Sequence, residues 1–466
     1  MIPSFSAMRL FLVYAALSLW ICALPVGAQT GPARPNIVYI LADDLGYGDL
    51  GCYGQKEIAT PHIDALARDG ARFTRHYASN SVCTPSRSSL LTGVHSGRAR
   101  HRDNPRFVNS YGFRPEDTTF AELMRDAGYA TGIAGKWHVG DRSDTTDIAH
   151  HHGFDFAYCV GYPYPAGNVE HWPSHLFTNG ETTPIPENAG GRRGRYMDDL
   201  YTDAALDFLR RNRERPFLLF LSFQGVHAPM DGAIRPEYVG RDWPEAEKVF
   251  ASMLAQVDEN VGRVLAELDR LGLTANTVVF FSSDNGPHSE GGHDPRFFRS
   301  NGQLRGGKRD LYEGGVRVPF IVRWPGVVKP HSVSRHVSAS WDMLATFAEL
   351  GGTTAPRGTD GISLVPALRG QPQAAHEFLY WENQERTGQQ AVLSGDWKAV
   401  RAGVMNNEAT AWSLYNLASD PGERHDIAAE NPDVVRRLAR LAGEAHTRSE
   451  RTPLFPSERA TASRAP

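Results

Sequence analysis

Cysteine is scarce, with 4 in 466 residues, too few for a disulfide-stapled scaffold. There is no excess of positive charge either. Lys+Arg 49 against Asp+Glu 53 leaves a formal net charge of −4, so no bulk field draws the chain to nucleic acid or to an acidic membrane, and an anionic ligand must be held by local charges. Beyond residue 24 no apolar run approaches the ~20 residues of a membrane span. No internal repeat and no three-residue glycine period accompanies Gly 45 and Pro 30, which sets aside fibrous readings. What is present, 41% apolar and 22% charged residues, is the composition of a loop-rich globular chain long enough for more than one domain.

At the N-terminus, Arg9 precedes an apolar run from Leu10 to Leu24, and the small residues Val26 and Ala28 suit a cleavage site. Residues 1–28 read as a secretory signal that exports the protein to the periplasm or beyond. An uncleaved anchor is the alternative, but the run is short of a span. Removing the signal removes Cys22 and leaves Cys52, Cys83 and Cys159, an odd number where thiols usually pair. Cys52 and Cys159 are either a disulfide or two buried small apolar residues. Cys83 stands in a different setting.

The run Asn36–Ala42 predicts a strand covered on both faces. Thr60-Pro61 opens a helix carrying Ile63, Leu66 and Ala67 on one face, with Gly70 as its stop. A second helix starts near Thr118 with Phe120, Leu123, Met124 and Ala127 on one stripe, and strand-like Tyr129–Ala134 follows. The pattern recurs as a helix around Leu200–Leu209 before Pro216–Phe223, and a long stripe from Phe250 to Leu268 before Thr277–Ser282. Alternating strands and helices predict an α/β fold with a doubly wound, mostly parallel sheet over residues 33–352. From Thr353 the texture changes to short strand-like pieces and one helix, Val434–Ala445. This reads as a small α+β subdomain over 353–446, with a disordered polar tail over 447–466.

In open α/β sheets ligands bind beyond the carboxyl ends of the strands. Four apolar runs here end in reactive types: Asp43-Asp44, Lys136-Trp137-His138, His227 and Asp284-Asn285. Each alone reads as a turn former, a surface charge or a loop histidine; four at one sheet edge do not. Asp43, Asp44, Asp284 and Asn285 offer hard oxygen donors without sulfur or imidazole, which selects Ca²⁺ or Mg²⁺ over Zn²⁺. Lys136 and His138, two apart on extended chain, face one side. The segment from Ser81 to Gly93 reads as a helix start with Thr84 or Cys83 as cap and Pro85 at the first helical position. Cys83 then meets the positive helix end, and Arg87, a cation misplaced in the first turn, reads as a clamp. A reactive thiol or a buried core cysteine is the plainer reading of that segment.

These residues resemble the type I sulfatases, the formylglycine-dependent branch of the alkaline phosphatase superfamily. The similarity rests on Cys83-Thr84-Pro85-Ser86-Arg87 with Leu91-Thr92-Gly93, on GKWHVG, HAP at 227–229 and SSDNG at 282–286, and on LRGGKRDLYEGGVRVPFIVRWPG, DWK at 396–398 and LYNLASDPGE at 414–423. The resemblance implies that a maturation enzyme oxidises Cys83 to formylglycine (3-oxoalanine), whose hydrate attacks the sulfur of a sulfate ester. It implies that Asp43, Asp44, Asp284 and Asn285, with the residue at 83, hold a divalent cation, Ca²⁺ before Mg²⁺. Arg87 would steady the diol, Lys136 and Lys308 would neutralise sulfate oxygens, and His227 would serve the leaving alcohol. His138 would take the proton of the second hydroxyl, which a serine lacks.

Lys308, Arg305 and Arg309 read from the residues alone as surface cations of a glycine loop. His288, His293, Asp294 and Arg296 lie where a loop can face the leaving group and are candidate substrate contacts, whereas His150-His151-His152 reads as a solvated loop. The expected substrate is a sulfated carbohydrate, with aryl sulfates also turned over. The runner-up is a phosphonate monoester or phosphodiester hydrolase of the same superfamily, and a third reading is a binding protein on a retired enzyme fold.

Overall fold

The strands, in chain order, are β1 (Asn36–Ala42), β2 (Ala71–Phe73), β3 (His76–Tyr77), β4 (Ala130–Gly135), β5 (Phe156–Cys159), β6 (His175–Thr178), β7 (Glu181–Pro184), β8 (Phe217–Ser222), β9 (Thr277–Ser283), β10 (Phe320–Arg323), β11 (Ser332–Ser334) and β12 (Ser338–Ala339). Beyond them come β13 (Leu379–Asn383), β14 (Gln389–Ser394), β15 (Trp397–Ala402) and β16 (Ser413–Asn416). They belong to a computed structural model that describes residues 34–104, 111–140, 148–160, 171–449 and 451–462; the expected signal, 1–28, lies outside the described residues. The large sheet has ten strands in the order β11-β2-β10-β9-β1-β8-β4-β5-β6-β7. Its centre, β9-β1-β8-β4-β5, is parallel, while β10 and β6 pair antiparallel at its flanks. The fold is therefore the α/β, doubly wound, mostly parallel arrangement that the alternation predicts.

Strand β1 is buried along its whole length because both faces are covered. Val38, Ile40 and Ala42 pack toward the helices Pro61–Arg68, Met197–Asn212 and Glu245–Arg270. Ile37, Tyr39 and Leu41 pack on the other side, toward the helices Cys83–Thr92, Phe120–Asp126 and Asp342–Gly351. Cys52 borders the first of these cores and Cys159 belongs to the second. The sheet separates them, and both are free thiols.

Several expectations shift in detail. The helix Cys83–Thr92 begins at Cys83 itself with Val82 as its cap, so Pro85 is its third residue, where its missing N–H is still outside the helical ladder. Thr60 stands at the cap of the helix Pro61–Arg68, but its hydroxyl accepts from Gly51, and the helix's own His62 and Ile63 amides are taken by Asp258 from 195 or more residues away. The expected disordered tail is corrected over its described part. Leu454 is fully buried, residues Pro456–Ala462 form a helix, and Glu458 pairs with His446 and accepts the Leu454 amide.

The C-terminal strands make a separate antiparallel sheet in the order β13-β14-β15-β16, backed by the helix Pro432–Ala445. Its other face packs on Tyr77, Leu311, Val316 and Trp341. One buried polar anchor crosses this contact: Lys398 of β15 reaches Glu313 at 2.9 Å, with Glu423 from the segment after β16 at 3.2 Å, all three fully buried. From Arg34 on the chain forms one compact unit, so the change of texture after Gly352 marks a new sheet rather than a detached body. No helix among the described residues is long and apolar enough to cross a membrane.

Gly135, the last residue of β4, sits at φ 129°, and a Cβ there would run into the Ser222 carbonyl of β8. Gly135→Ala is expected to force the two strand ends apart at a cost of about 3 kcal/mol and to lower the melting temperature by several degrees. Calorimetry on the purified variant checks this, and an unchanged melting temperature contradicts it.

Candidate active site

The parallel register brings the reactive strand ends to one level. Leu41 pairs with Ser222, Ala42 with Ser283 and Gly135 with Ser222, so the residues just beyond must emerge together. Backbone bonds continue the ladder past the strands: the Asp284 amide donates to the Ala42 carbonyl, Lys136 to Ser222, Asp43 to Gly225 and Val226 to Asp43. The helix Cys83–Thr92 meets this edge with its N-terminus, placing Cys83 Sγ 3.5 Å from Asp43 Oδ1.

Arg87, one turn further on, is buried, with Nε and Nη1 hydrogen-bonded and Nη2 held only by ion-pair contacts. Its Nε donates to Asp284 Oδ2 at 2.9 Å, and Nη1 donates to the Lys136 carbonyl at 3.0 Å and to Ser222 Oγ at 2.6 Å. Its Nη2 lies 2.9 Å from Asp284 Oδ2 and 3.5 Å from Asp43 Oδ2. Lys136 Nζ pairs with Asp43, and Lys308 Nζ lies 2.8 Å from Asp44 Oδ2. His227 Nε2 is 3.7 Å from the same Asp44 oxygen, while its Nδ1 bonds the Ala228 carbonyl at 2.5 Å. His138 Nδ1 lies 3.4 Å from Thr84 Oγ1, within the first turn of the cysteine helix. Asp44 and His138 both sit at φ 62°, a left-handed conformation that non-glycine residues hold only where surroundings enforce it. For Asp44 the enforcement is visible, since its amide donates to Asp284 Oδ1 at 3.1 Å.

The electrostatics follow from burial. Burial alone would raise Asp43, but Lys136, His227, Arg87 and Lys308 hold it well below the usual carboxylate range. Asp44 is likewise buried, and Lys308 and His227 bring it down to about 2. Asp284 goes the other way: burial and the Asp43 charge, with a smaller push from Asp44, lift it to about 7 against the pull of Arg87. Burial, Lys136 and Lys308 push His227 down to about 4. Burial, then Asp43, pushes the Cys83 thiol well up, so an unmodified Cys83 is a poor nucleophile.

Oxygens of Asp43, Asp44 and Asp284 come within 4.8 Å of one another. Asn285 donates to Asp44 Oδ1 at 2.6 Å, and its own Oδ1 is buried with no partner. This all-oxygen set, with the buried Asn285 Oδ1 lacking a partner, fits a hard divalent ion. Asp43 with Cys83 and His227, and Asp44 with His227 and Glu290, also cluster, but both include imidazole.

The loop after Asn285 differs from expectation. His293 is corrected as a substrate contact: it is buried, stacked on Phe250 at 3.9 Å, and bonded to Glu247 at 2.8 Å. His288 is a brace behind the site, bonding the Val226 carbonyl at 3.0 Å and accepting the Glu290 amide. Asp294 and Arg296 pair with each other at the surface. Arg305 lies on Tyr312 and bonds Tyr415 rather than entering the site. Three residues that the sequence did not point out do belong here. Ser222 fixes Arg87, Asp198 accepts the Gln224 and Gly225 amides just before His227, and Glu290 lies 3.3 Å from Lys308 Nζ. Only Glu290 carried a signal, its place within the loop already under suspicion.

Residues 35–353 match the sulfatase family, and residues 306–445 match the C-terminal region of N-sulphoglucosamine sulphohydrolase. Steryl-sulfatase of Mus musculus is 34% identical, the alignment covering 94% of this chain and 85% of that protein. N-acetylgalactosamine-6-O-sulfatase of Bacteroides thetaiotaomicron is 31% identical over 89% of this chain and 94% of its own. A solved sulfatase from the work on glycosaminoglycan metabolism in the same organism superposes with a TM-score of 0.75 at 30% identity, covering 89% of this chain and 100% of that one. The phosphonate monoester hydrolase of Agrobacterium radiobacter, with a TM-score of 0.65 and 20% identity over 88% of this chain and 95% of that one, shares the fold alone. A buried acidic floor ringed by Arg87, Lys136 and Lys308, on a chain alike from end to end in its described part to enzymes that cleave sulfate esters, has one assignment: this protein belongs to the sulfatase family and is a sulfuric ester hydrolase.

Proposed function

We propose that the protein hydrolyses sulfate esters of carbohydrates, using formylglycine made from Cys83 by a maturation enzyme and a divalent cation, Ca²⁺ before Mg²⁺, held by Asp43, Asp44, Asp284 and Asn285. The observation that carries this reading is the position of Cys83, the first residue of a buried helix N-terminus, 3.5 Å from the carboxylate edge of that oxygen set. When present, the modified residue supplies a hydrated aldehyde as nucleophile and the cation supplies charge stabilisation at the ester oxygens. The carbohydrate assignment is supported by the galactosamine sulfatase relative and the glycosaminoglycan-related structure. The reading extends to export through residues 1–28.

The chain's own residues divide the remaining work. Arg87 is fixed by Asp284, Ser222 and the Lys136 carbonyl, so it orients whatever stands on residue 83 without searching rotamers. Lys136 and Lys308 face the site from opposite carboxylates and present two cations to a tetrahedral anion in a desolvated setting, where such contacts are strong. His227 gives its Nδ1 hydrogen to the Ala228 carbonyl, which leaves Nε2, 3.7 Å from Asp44 Oδ2, as the acceptor of the neutral ring; it would serve the leaving oxygen as an acid only after taking up a second proton there. His138, 3.4 Å from Thr84 Oγ1, would take a proton from residue 83. Gln224 and Gly225, pinned by Asp198, hold His227 in register.

Peptide mass spectrometry across Cys83 of active material should show a loss of about 18 Da, the replacement of CH₂SH by CHO, and full activity in wholly unmodified protein contradicts the mechanism. Cys83→Ala should lower kcat/KM on an aryl sulfate by at least about 10³-fold while leaving the melting temperature within a degree or two. Chelation should abolish turnover and lower the melting temperature, and separate additions of Ca²⁺ and Mg²⁺ should restore both, Ca²⁺ at the lower concentration; activity indifferent to exhaustive chelation rules the cation out. An aryl sulfate should be preferred over an aryl phosphodiester, and a reversed preference by orders of magnitude would transfer the enzyme to the phosphonate and phosphodiester hydrolases.

A further inference from the structure

The loop after Asn285 returns to the centre at one side chain. Glu290 Oε2 lies 3.3 Å from Lys308 Nζ, and Oε1 lies 2.6 Å from Arg309 Nη2. The Glu290 side chain is 32% exposed while that of Lys308 is 3% exposed, so this carboxylate stands at the boundary between the buried centre and solvent. Behind it Lys308 bonds Asp44, and beside it Arg309 Nε lies 3.6 Å from Glu385, in the turn after β13. Asp44, Lys308, Glu290, Arg309 and Glu385 thus form a row of alternating charge from the acidic floor to the C-terminal sheet.

This placement is built rather than incidental. The Glu290 amide donates to His288 Nδ1 at 3.0 Å, and His288 in turn holds the Val226 carbonyl beside His227. Arg309 sits at φ 76°, its amide bound to the Ser81 carbonyl at 2.8 Å and its carbonyl taken by Gln389 Nε2 at 2.7 Å. Ser81 is two residues from Cys83, so the segment bearing Arg309 is fastened to the segment bearing the nucleophile position.

We propose that Glu290 is a specificity-determining residue that restricts turnover to sulfate esters whose leaving group is uncharged and hydroxyl-bearing next to the ester oxygen. The proposal rests on the sulfate-ester reading above and deepens it. Two cations at the mouth would otherwise welcome an acidic leaving group, such as a sugar with a neighbouring carboxylate or second sulfate. Asp44 and Glu385 already face Lys308 and Arg309 from their other sides, so Glu290 leaves the row with an excess negative charge where that group would sit, and like charges in a half-desolvated mouth repel strongly. A hydroxyl meets the opposite reception. An ionised carboxylate offers about four lone-pair directions, and the two ion pairs leave acceptor capacity for a hydroxyl hydrogen.

The test compares wild type, Glu290→Gln and the double variant Glu290→Gln with Arg309→Gln on two esters, 4-nitrophenyl sulfate and its analogue with a carboxylate ortho to the ester oxygen. Taking the ratio of kcat/KM values between the two esters in each protein cancels their intrinsic reactivities. Glu290→Gln is expected to move that ratio about tenfold toward the anionic ester, mainly through KM, and the double variant to move it back, since Arg309 is the cation set free. An unchanged ratio, or an equal loss on both esters, overturns the role given to Glu290. A wild-type enzyme that turns over phosphodiesters but neither sulfate ester strikes instead at the sulfate-ester reading.

Discussion

Carboxylates buried together at a strand edge repel one another, and everything in this structure answers that constraint. Asp43, Asp44 and Asp284 share one desolvated floor, and three cations, Arg87, Lys136 and Lys308, arrive from three different parts of the chain to face them. Even so, burial and Asp43 lift Asp284 to about 7. Carboxylate oxygens that converge within 4.8 Å fit a hard cation, and buried ionic clusters seldom add net stability to a fold. The parallel register of β1, β4, β8 and β9 makes the repulsion unavoidable, since it delivers these residues to one level.

The C-terminal sheet takes part in the same balance from a distance. Lys398 is buried between Glu313 and Glu423, Glu423 accepts the Glu313 amide, and Arg305 bonds the Glu423 carbonyl. Glu313 and Arg305 bracket Lys308 in sequence. The turn that presents Lys308 is therefore clamped on both sides by polar contacts to β15 and the segment after β16, which specify one geometry. The small sheet does not touch the reacting centre through these residues; it sets where one of the cations stands.

Conformational strain concentrates at the same place. Asp44 and His138 hold positive φ at the exits of β1 and β4, each costing of order 1–3 kcal/mol that the surrounding bonds must over-determine. The Asp284 carboxylate takes the Asp44 amide, so one acidic residue restrains the backbone of another. Specificity lies one layer further out, where Glu290 and Arg309 pair at the solvent boundary.

The central strands and the candidate site were legible in the sequence for the same reason: both are written locally. Asn36–Ala42 was a strand by its unbroken apolar run, and Asp43-Asp44, Lys136, His227 and Asp284-Asn285 were conspicuous because they follow such runs. Lys308 was carried by family resemblance, since its neighbours say only glycine loop. Other features were invisible because they depend on partners far along the chain. His293 reads as a free loop histidine until Phe250 stacks on it, the tail reads as disordered until Leu454 finds a core, and Asp198 and Ser222 have no motif at all. By itself the sequence determined the α/β alternation and the residue types at the strand ends, because periodicity and residue chemistry act within a few positions. Only the tertiary structure decided which charges pair, which histidines turn away and which carboxylate guards the mouth, because those outcomes come from burial and from long-range register, which no local stretch contains.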